Sequence, residues 1–198
     1  MCGRYSLVPG ESAEISEIIR RVQNRVQTGE IYPTAPIPVL MEAGEELVPE
    51  VMTWGFPGFQ VKSKPIINAR SETVLDKTMF RRSFLERRCV FPTTGFYEWA
   101  DESGGKKRKY RFNLPGEDRT LYLAGFWNDY AGERRCVIMT TAANRSMSAI
   151  HDRMPLILAR DQMEAWVHDA DKARELLHAT PPELVHVDAE PPAQLSLF

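Results

Sequence analysis

Cysteine is scarce in this chain of 198 residues, which contains three cysteines and no CxxC pair. Cys2, Cys89 and Cys136 are an odd number and lie far apart, a pattern that fits a reduced cytosolic compartment better than secretion or a zinc site. The histidines also lack metal-ligand spacing with a carboxylate or a thiolate. We therefore expect no metal and no other cofactor, and we interpret Cys89 and Cys136 as core residues.

Long apolar runs are missing as well. No segment approaches the roughly 18 apolar residues of a membrane helix, and the N-terminus lacks the basic-then-apolar pattern of a signal peptide. These absences predict a soluble cytoplasmic protein with no membrane partner. A chain of 198 residues has the length of one domain with a tail, and it can bury a core without disulfides or metals.

The chain also lacks a strong charge of either sign, since its net charge is -2 and its pI is about 6.1. The molecule as a whole does not attract phosphate, so any nucleic-acid surface has to be a local basic patch. The basic clusters FRRSFLERR and KKRKYR are the candidates for such a patch. Charge runs of this kind are often only solvated faces, and composition alone leaves both interpretations open.

Hydrophobic periodicity predicts few helices and many strands. An amphipathic helix is predicted over residues 11–25 and two extended runs are predicted around Gly44. A second helix is predicted over residues 71–88, with Ser71 as its N-cap. Strand candidates then dominate the middle of the chain and are separated by turns rich in glycine and charged residues.

The C-terminal part adds two short helix candidates and a final strand-like segment, ELVHV. Successive hairpins without βαβ alternation predict an α+β fold. In this fold a curved, largely antiparallel sheet forms a barrel-like core flanked by helices. We assign this single domain to residues 2–187 and a flexible tail to residues 188–198.

The chain begins MCGRY, with a cysteine directly after the initiator methionine. If Met1 is removed, Cys2 carries a free α-amine and a thiol on adjacent carbons, a pair able to attack one carbonyl carbon twice. Gly3 fits this chemistry because a small, flexible residue lets the terminus enter a tight pocket. The alternative is that a cysteine at the second position is incidental.

Four internal stretches contain further candidates for chemistry. PIINARSE places Asn68 and Arg70 on the same side of an extended run, although a turn asparagine and a surface arginine are the alternative. TTGFYEWA sets Glu98 among aromatic residues, either at a solvated edge or in a pocket that raises its pKa toward neutrality. IHDRMP contains His151, which is either a proton shuttle or an inert loop residue. Trp54 in VMTWGFPG is either a core residue or a platform for bases, each stack being worth roughly 1 to 3 kcal/mol.

Six segments occur in a fixed order along the chain: MCGRY, TWGF, NARSET, FRRSF with a following RRC, GFYEW and IHDRMP. In this order and at these intervals they resemble the SRAP family, named for SOS response-associated peptidase, over about residues 2–165. The resemblance implies that the protein recognises abasic sites in single-stranded DNA and bonds to them through its terminal cysteine. The amine would form a Schiff base with the ring-opened sugar, and the thiol would then close a thiazolidine.

The resemblance also implies roles for individual residues. Glu98 is expected to move protons during ring opening and imine formation, His151 to hold or protonate the sugar ring oxygen, and Asn68 to orient the amine. Arginines are expected to bind flanking phosphates, Trp54 to stack at the lesion, and Thr140 to line the pocket. The expected DNA-binding residues are Arg4, Trp54, Arg70, Arg81, Arg82 and Thr140.

The chain ends with AQLSLF, which is similar to the short motif by which bacterial repair proteins dock on the replicative sliding clamp. A glutamine followed by leucine and phenylalanine on a flexible tail suits insertion into an apolar pocket. We therefore expect clamp binding, with an uncommitted apolar terminus as the alternative. The residues concerned are Gln194, Leu195, Ser196, Leu197 and Phe198.

Other functions remain open at this point. Cys2 could serve as the N-terminal nucleophile of a peptidase or autoprotease, and the same Schiff base could lead to an abasic-site lyase by β-elimination. Trp54 and the arginines could instead form a non-covalent binder of single-stranded DNA. In each DNA-directed case we expect a monomer acting at damaged DNA in the nucleoid.

Overall fold

The computed structural model describes residues 2–60, 63–102, 105–116 and 120–189. The strands in these ranges are β1 (Arg4–Leu7), β2 (Gly29–Ile31), β3 (Pro36–Ala43), β4 (Glu46–Trp54), β5 (Asn68–Arg70), β6 (Arg88–Thr93), β7 (Gly95–Asp101), β8 (Lys107–Asn113), β9 (Leu121–Tyr130), β10 (Glu133–Ala142), β11 (Arg153–Pro155), β12 (Ile157–Leu158) and β13 (Val185–Asp188). The α-helices are α1 (Ala13–Arg21), α2 (Thr78–Glu86), α3 (Met163–His168) and α4 (Ala170–Leu176).

The strands form two sheets. The larger has the order β11-β10-β4-β3-β6-β9-β12, and β9 also pairs with β10, so the strands between them close into a ring. The smaller has the order β13-β8-β7-β1-β2. Most pairs are antiparallel, and β10 runs parallel to β4 and β5. This arrangement confirms the prediction of one α+β domain with a curved, largely antiparallel, barrel-like core.

Alternation along the strands of the larger sheet divides the interior into two apolar clusters. On β6, Cys89 and Phe91 belong to the first cluster, which the smaller sheet also lines, whereas Val90 belongs to the second cluster. The second cluster lies against the helices and includes Phe84 of α2 and Trp166 of α3. Cys89 and Cys136 are both 0% exposed, as expected of core residues.

The first helix is confirmed, and the second is shorter than predicted. In α1 the Ser12 side chain accepts a hydrogen bond from the Ile15 amide and so caps the helix. The segment 71–88 instead contains a 3-10 turn over Ser71–Thr73, and α2 begins only at Thr78. Ser71 is buried and is not the cap of α2, because the burial of Val74 anchors the turn to the core before the helix starts.

The last strand, β13, extends to Asp188 and pairs with β8, so the first residue of the predicted tail belongs to the sheet. The predicted clamp motif at 194–198 lies outside the described residues. Within the part of the chain that the structure describes, no helix is both long and apolar enough to cross a membrane.

Candidate active site

Cys2 lies two residues before the start of β1, belongs to the first apolar cluster and is 0% exposed. Its carbonyl oxygen accepts a hydrogen bond of 3.0 Å from Nδ2 of Asn68. Its Sγ is 3.6 Å from the carbonyl oxygen of Arg4, to which the thiol can donate. β1 itself is held between β2 and β7, so the paired strands fix the position of the chain terminus.

Asn68 is the first residue of β5, whose pairing with β10 places Asn68 opposite Ile138. Its Nδ2 is used by the Cys2 carbonyl group, and its buried Oδ1 accepts no hydrogen bond from the described residues. A buried acceptor without a donor is costly in a folded protein. Asn68 therefore offers an acceptor beside the backbone of Cys2.

Glu98 lies on β7, where it is 3% exposed and opposite Tyr110 of β8. Burial raises the pKa of Glu98 above its usual value, although the nearby His151 acts in the opposite direction. This burial decides between the two interpretations of the sequence, because Glu98 is in a pocket and not at a solvated edge. A carboxyl group with a raised pKa can both accept and return a proton near neutral pH.

His151 faces Glu98, with 4.0 Å between His151 Nε2 and Glu98 Oε2. On the other side of the ring, the backbone amide of Arg153 donates to His151 Nδ1 at 2.9 Å. Asp152 Oδ1 is also 2.8 Å from Nδ1, but the Asp152 side chain is 85% exposed and can turn toward water. We assign the neutral tautomer from the backbone contact: Nδ1 accepts, and Nε2 carries the proton toward Glu98.

The thiol of Cys2 is not activated as a thiolate. Burial is the main cause that raises the pKa of the Cys2 thiol far above its usual range, and the negative charge of Glu98 raises it further. The thiol is therefore protonated at neutral pH, unlike the reactive thiolates of cysteine peptidases.

Trp54 requires a correction, because a ring without accessible surface cannot stack on a base. The side chain is 0% exposed, its Nε1 donates to the Ile67 carbonyl group at 3.1 Å, and its ring centroid is 5.2 Å from that of Tyr5. Tyr5 follows Cys2 on β1, so Trp54 supports the site from within the core. The tryptophan in TWGF could not be distinguished from a surface platform before the pairing of β4 was known.

Thr140 is corrected in the same way. It is 0% exposed, and its hydroxyl donates to the Ala69 carbonyl oxygen at 3.4 Å, which joins β10 to β5. Thr140 therefore contributes to the wall behind the site and has no surface with which to contact DNA.

The arginines predicted to bind DNA have different surroundings. Arg70 is exposed and lines a cavity of about 550 Å³ together with Asn68, Lys77, Phe59 and Phe80. Arg81 and Arg82 line a separate groove along α2, in which Arg82 forms an ion pair of 3.0 Å with Glu86. The basic cluster on α2 is thus not part of the cavity beside Asn68.

Arg4 is held on the other side of the site by a charged and aromatic cluster. Its guanidinium forms an ion pair of 3.0 Å with Glu30 and lies 4.5 Å from the ring centre of Tyr32 and 5.1 Å from that of Trp99. Lys109 shares the carboxylate of Glu30 at 2.7 Å. The charge of Arg4 is therefore partly neutralised before any phosphate arrives.

Three aromatic residues near these arginines were not identified from the sequence as site residues. Phe59 is 82% exposed and Tyr32 is 44% exposed, values that are unusual for large apolar side chains. Trp99 follows Glu98, so strand alternation turns it to the opposite face of β7. Trp99 could therefore have been identified from the sequence by strand alternation. The exposure of Phe59 and Tyr32 could not, because it depends on tertiary structure.

Comparison with known proteins identifies the family. A family model described as SOS response associated peptidase (SRAP) matches residues 1–190. The abasic site processing protein YoqW of Bacillus subtilis is 30% identical over 197 residues, covering 89% of this chain and 86% of that protein. The abasic site processing protein YedK of Escherichia coli is 24% identical over 185 residues, covering 88% of this chain and 83% of that protein.

Solved structures agree on the fold. The crystal structure of a protein from Bordetella bronchiseptica has a TM-score of 0.76 at 23% identity, covering 96% of this chain and 100% of that chain. A protein from Bacteroides thetaiotaomicron has a TM-score of 0.71 at 21% identity, covering 94% of this chain and 91% of that chain. With the match of the family model over most of its length, this chain belongs to the SOS response associated peptidase (SRAP) family.

Proposed function

We propose that this protein forms a covalent crosslink with abasic sites in single-stranded DNA through Cys2, after Met1 is removed. One observation carries the proposal: the chain terminus is held by Asn68 beside a buried carboxyl group, Glu98, that faces His151. Relatives in the family that are named abasic site processing proteins support the choice of substrate. The product would shield the damaged sugar from other reactions.

The first step uses the amine of Cys2. While Met1 is attached, the nitrogen of Cys2 is a peptide amide and is not a nucleophile. After its removal, an α-amine with a usual pKa of about 7.7 to 8.0 is roughly 25 to 40% free base near pH 7.5, a far larger share than for a lysine side chain. The unpartnered Oδ1 of Asn68 is suited to accept one amine hydrogen, which would aim the nitrogen lone pair at the sugar.

The sugar must open before it can react. An abasic deoxyribose exists mainly as a closed hemiacetal, and its C1 hydroxyl must lose a proton as the ring oxygen gains one. Glu98 can take the hydroxyl proton and return it to the ring oxygen, because burial raises its pKa. Nε2–H of His151 can donate a hydrogen bond to the same oxygen while the imidazole stays neutral. The two groups face each other at 4.0 Å, so both can contact the same hemiacetal.

The amine then adds to the aldehyde to give a carbinolamine, and loss of water gives the imine. Glu98 can take the proton that the amine nitrogen loses on addition and then supply it to the hydroxyl group, which leaves as water. The thiol adds last: its sulfur bonds to the imine carbon and its proton goes to the imine nitrogen. A protonated thiol suits the last step better than the first attack. The Cys2 thiol is protonated at neutral pH because burial raises its pKa.

The surroundings of Asn68 are suited to single-stranded DNA. Phe59 and Phe80 give the cavity beside Asn68 an apolar wall on which an unpaired base can stack, and Arg70 and Lys77 add positive charge for the backbone. On the other side of Cys2, the exposed ring of Tyr32 lies beside Arg4. These two surfaces compensate locally for a net charge of -2.

The proposal is tested with an oligonucleotide that contains one abasic site. We expect the wild-type protein to give a band that stays shifted after heating in denaturant, and Cys2→Ala to give none. Cys136→Ala is the matched control, because it removes a buried cysteine outside the site and should leave the crosslink intact. The same strand without a lesion should give no shifted band.

The other functions are separate outcomes of the same gel. A shortened DNA strand indicates lyase activity by β-elimination, and a shift that is lost on denaturation indicates non-covalent binding. Either result in place of the heat-stable band contradicts the proposal. Mass spectrometry must also find the adduct on Cys2, with one water lost relative to the processed protein and the DNA.

We also propose that the tail docks on the replicative sliding clamp, on the basis of the sequence alone. Gln194, Leu195, Leu197 and Phe198 have the composition of such a motif. A labelled peptide of residues 190–198 should bind purified clamp in fluorescence anisotropy, and Phe198→Ala should abolish binding.

A further inference from the structure

Glu72 forms a two-point ion pair with Arg153. Glu72 Oε1 lies 2.6 Å from Arg153 Nη1, and Glu72 Oε2 lies 2.9 Å from Arg153 Nη2. The Arg153 side chain is 13% exposed, and its Nη2 also donates to the Thr140 carbonyl oxygen at 2.8 Å. Two parallel contacts to one carboxylate fix the direction of a guanidinium more firmly than a single contact does.

This ion pair connects the two segments that carry Asn68 and His151. Glu72 follows Asn68 in NARSE, and Arg153 follows His151 in HDRMP. Both segments flank β10, since β5 pairs with it on one side and β11 on the other. Arg153 is attached to β10 at two points: its backbone pairs opposite Ala142, and its side chain donates to the Thr140 carbonyl group.

The backbone of Arg153 sets the state of His151. Its amide is the donor to His151 Nδ1 at 2.9 Å, and this contact leaves the ring proton on Nε2, toward Glu98. If Arg153 shifted, Nδ1 would lose its fixed donor. The neutral ring could then carry its proton on either nitrogen, and one of these forms has no proton to give on the side of Glu98.

Ionised Glu72 is available for this role throughout the neutral range. The hydrogen bond from Arg153 lowers the pKa of Glu72 below its usual value. The pair therefore stays charged at any pH at which the amine of Cys2 is reactive.

We propose that Glu72 is a positioning residue, which holds Arg153 so that its backbone amide keeps His151 in the tautomer with the proton on Nε2. Glu72 acts through Arg153 and is not required to touch the substrate. The consequence for crosslinking depends on the proposed function, whereas the effect on the tautomer is a property of the free protein. The two can therefore be tested separately.

The free protein is tested by long-range proton–nitrogen NMR of its histidines at a pH well above the usual histidine pKa of about 6.5. We expect wild-type His151 to give the pattern of the Nε2–H tautomer and Glu72→Gln to give a mixture of both tautomers. Glu17→Gln is the matched control, because Glu17 also forms a two-point pair, with Arg20 at 2.6 and 2.9 Å, on the exposed face of α1. An unchanged tautomer in Glu72→Gln overturns the proposal.

Crosslinking kinetics test the consequence. We expect Glu72→Gln to lower the rate at saturating DNA by about 10-fold, a fraction of the 10²- to 10⁴-fold that proton transfer contributes in enzymes, without changing the half-saturating DNA concentration. In a His151→Ala background, Glu72→Gln should have no further effect. A changed tautomer with an unchanged crosslinking rate would contradict the proposed effect of the tautomer on crosslinking. A wild-type protein that forms no crosslink would contradict the proposed function, but the NMR result would remain valid.

Retention of the fold is checked by the melting temperature of each variant. Arg153→Lys provides a second test, since a lysine ammonium can pair with Glu72 but cannot make both contacts of the guanidinium fork. We expect it to give a mixed tautomer as well. A wild-type tautomer in Arg153→Lys would mean that the two-point contact is not what fixes the loop.

Discussion

Glu98 is an ionisable side chain in a position that would otherwise suit an apolar residue. Its neighbour on the same face of β7 is Phe96, which is fully buried and stacked on Phe112. Placing a carboxyl group there disfavours its charged form, and this is the cause of its raised pKa. The same property that suits Glu98 to proton transfer therefore lowers the stability of the folded chain.

We predict that Glu98→Gln makes the protein more stable at neutral pH while it slows crosslinking. The folded-state pKa of Glu98 lies above the unfolded value of about 4.3, so wild-type stability falls as the pH rises through this interval, and the loss persists above it. Glutamine does not ionise, so the variant does not lose stability over this pH interval. Thermal unfolding at pH 7.5 should show a higher Tm for the variant, by roughly 2 to 4 °C for each kcal/mol, and the difference should vanish near pH 4.

Glu133→Gln is the control, because the pKa of Glu133 is shifted in the direction opposite to that of Glu98. A hydrogen bond from the Thr53 hydroxyl lowers the pKa of Glu133, so its replacement should not raise the Tm at neutral pH. If Glu98→Gln is no more stable than wild type at pH 7.5, burial is not the dominant influence on Glu98.

The motifs indicated which of these residues lie close together better than they indicated how exposed each residue is. Contact of Asn68 with Cys2, and of Glu98 with His151, agrees with the expectation that these residues act together, and their chemical roles remain predictions. Burial of Trp54 and Thr140 was not predictable, because both belong to strand segments whose two faces look alike in sequence. Exposure is decided by which strands pair, and pairing is not a local property.

At the scale of elements, most long strands and hairpins were predictable, as were the short segments that contain β5 and β13, but β1 and β2 were not. Alternating apolar residues and glycine turns indicated β3 and β4 and also the hairpin of β9 and β10. β1 and β2 have four residues or fewer, too few for a pattern, and β1 forms against the longer strand β7. The predicted helix over 71–88 failed for the related reason that tertiary contacts of its first turn override helix propensity.

The closure of the ring depends on a close approach of β9 to its neighbours. Gly125 pairs with Cys89 on one side and with Ile138 on the other, and its carbonyl oxygen accepts a hydrogen bond from the Trp166 indole at 3.2 Å. A Cβ atom at this position would lie 2.3 Å from the Phe91 ring and 2.6 Å from the Val137 carbonyl oxygen. No side chain fits there without movement of the strands.

We therefore predict that Gly125→Ala destabilises the protein by about 1 to 3 kcal/mol, the usual cost of overpacking a core. Urea unfolding followed by tryptophan fluorescence measures the change. Gly10→Ala is the matched control, because an added Cβ there meets no atom within 4 Å. Equal stability of the two variants would show that the larger sheet adjusts freely around β9.

At the scale of the whole molecule, an acidic protein is proposed to bind a polyanion. With a net charge of -2, its attraction for DNA has to come from a few residues around the cavity beside Asn68. Composition alone could indicate this requirement but could not locate the surface. The structure separates the α2 arginines, Arg81 and Arg82, from the arginine nearest to Asn68, which is Arg70.

We predict that Arg70→Ala weakens binding of single-stranded DNA with and without a lesion to a similar extent. If Arg70 neutralises one phosphate, the slope of log affinity against log salt should become shallower by about 0.7. Titrations between low and moderate salt measure the slope. Lys172→Ala, which removes an exposed cation on α4, should leave it unchanged, and an unchanged slope in Arg70→Ala would exclude a phosphate contact by Arg70.

The complete burial of Cys2 has a consequence for the maturation of the protein. An aminopeptidase needs an extended, accessible substrate, and the bond before Cys2 leads directly into a strand that is paired on both sides. Under the proposed function, Met1 therefore has to be removed before this strand pairs with its neighbours. A molecule that folds before Met1 is removed would be stable but unable to form the crosslink. The relative rates of Met1 removal and of folding would then determine the fraction of reactive molecules.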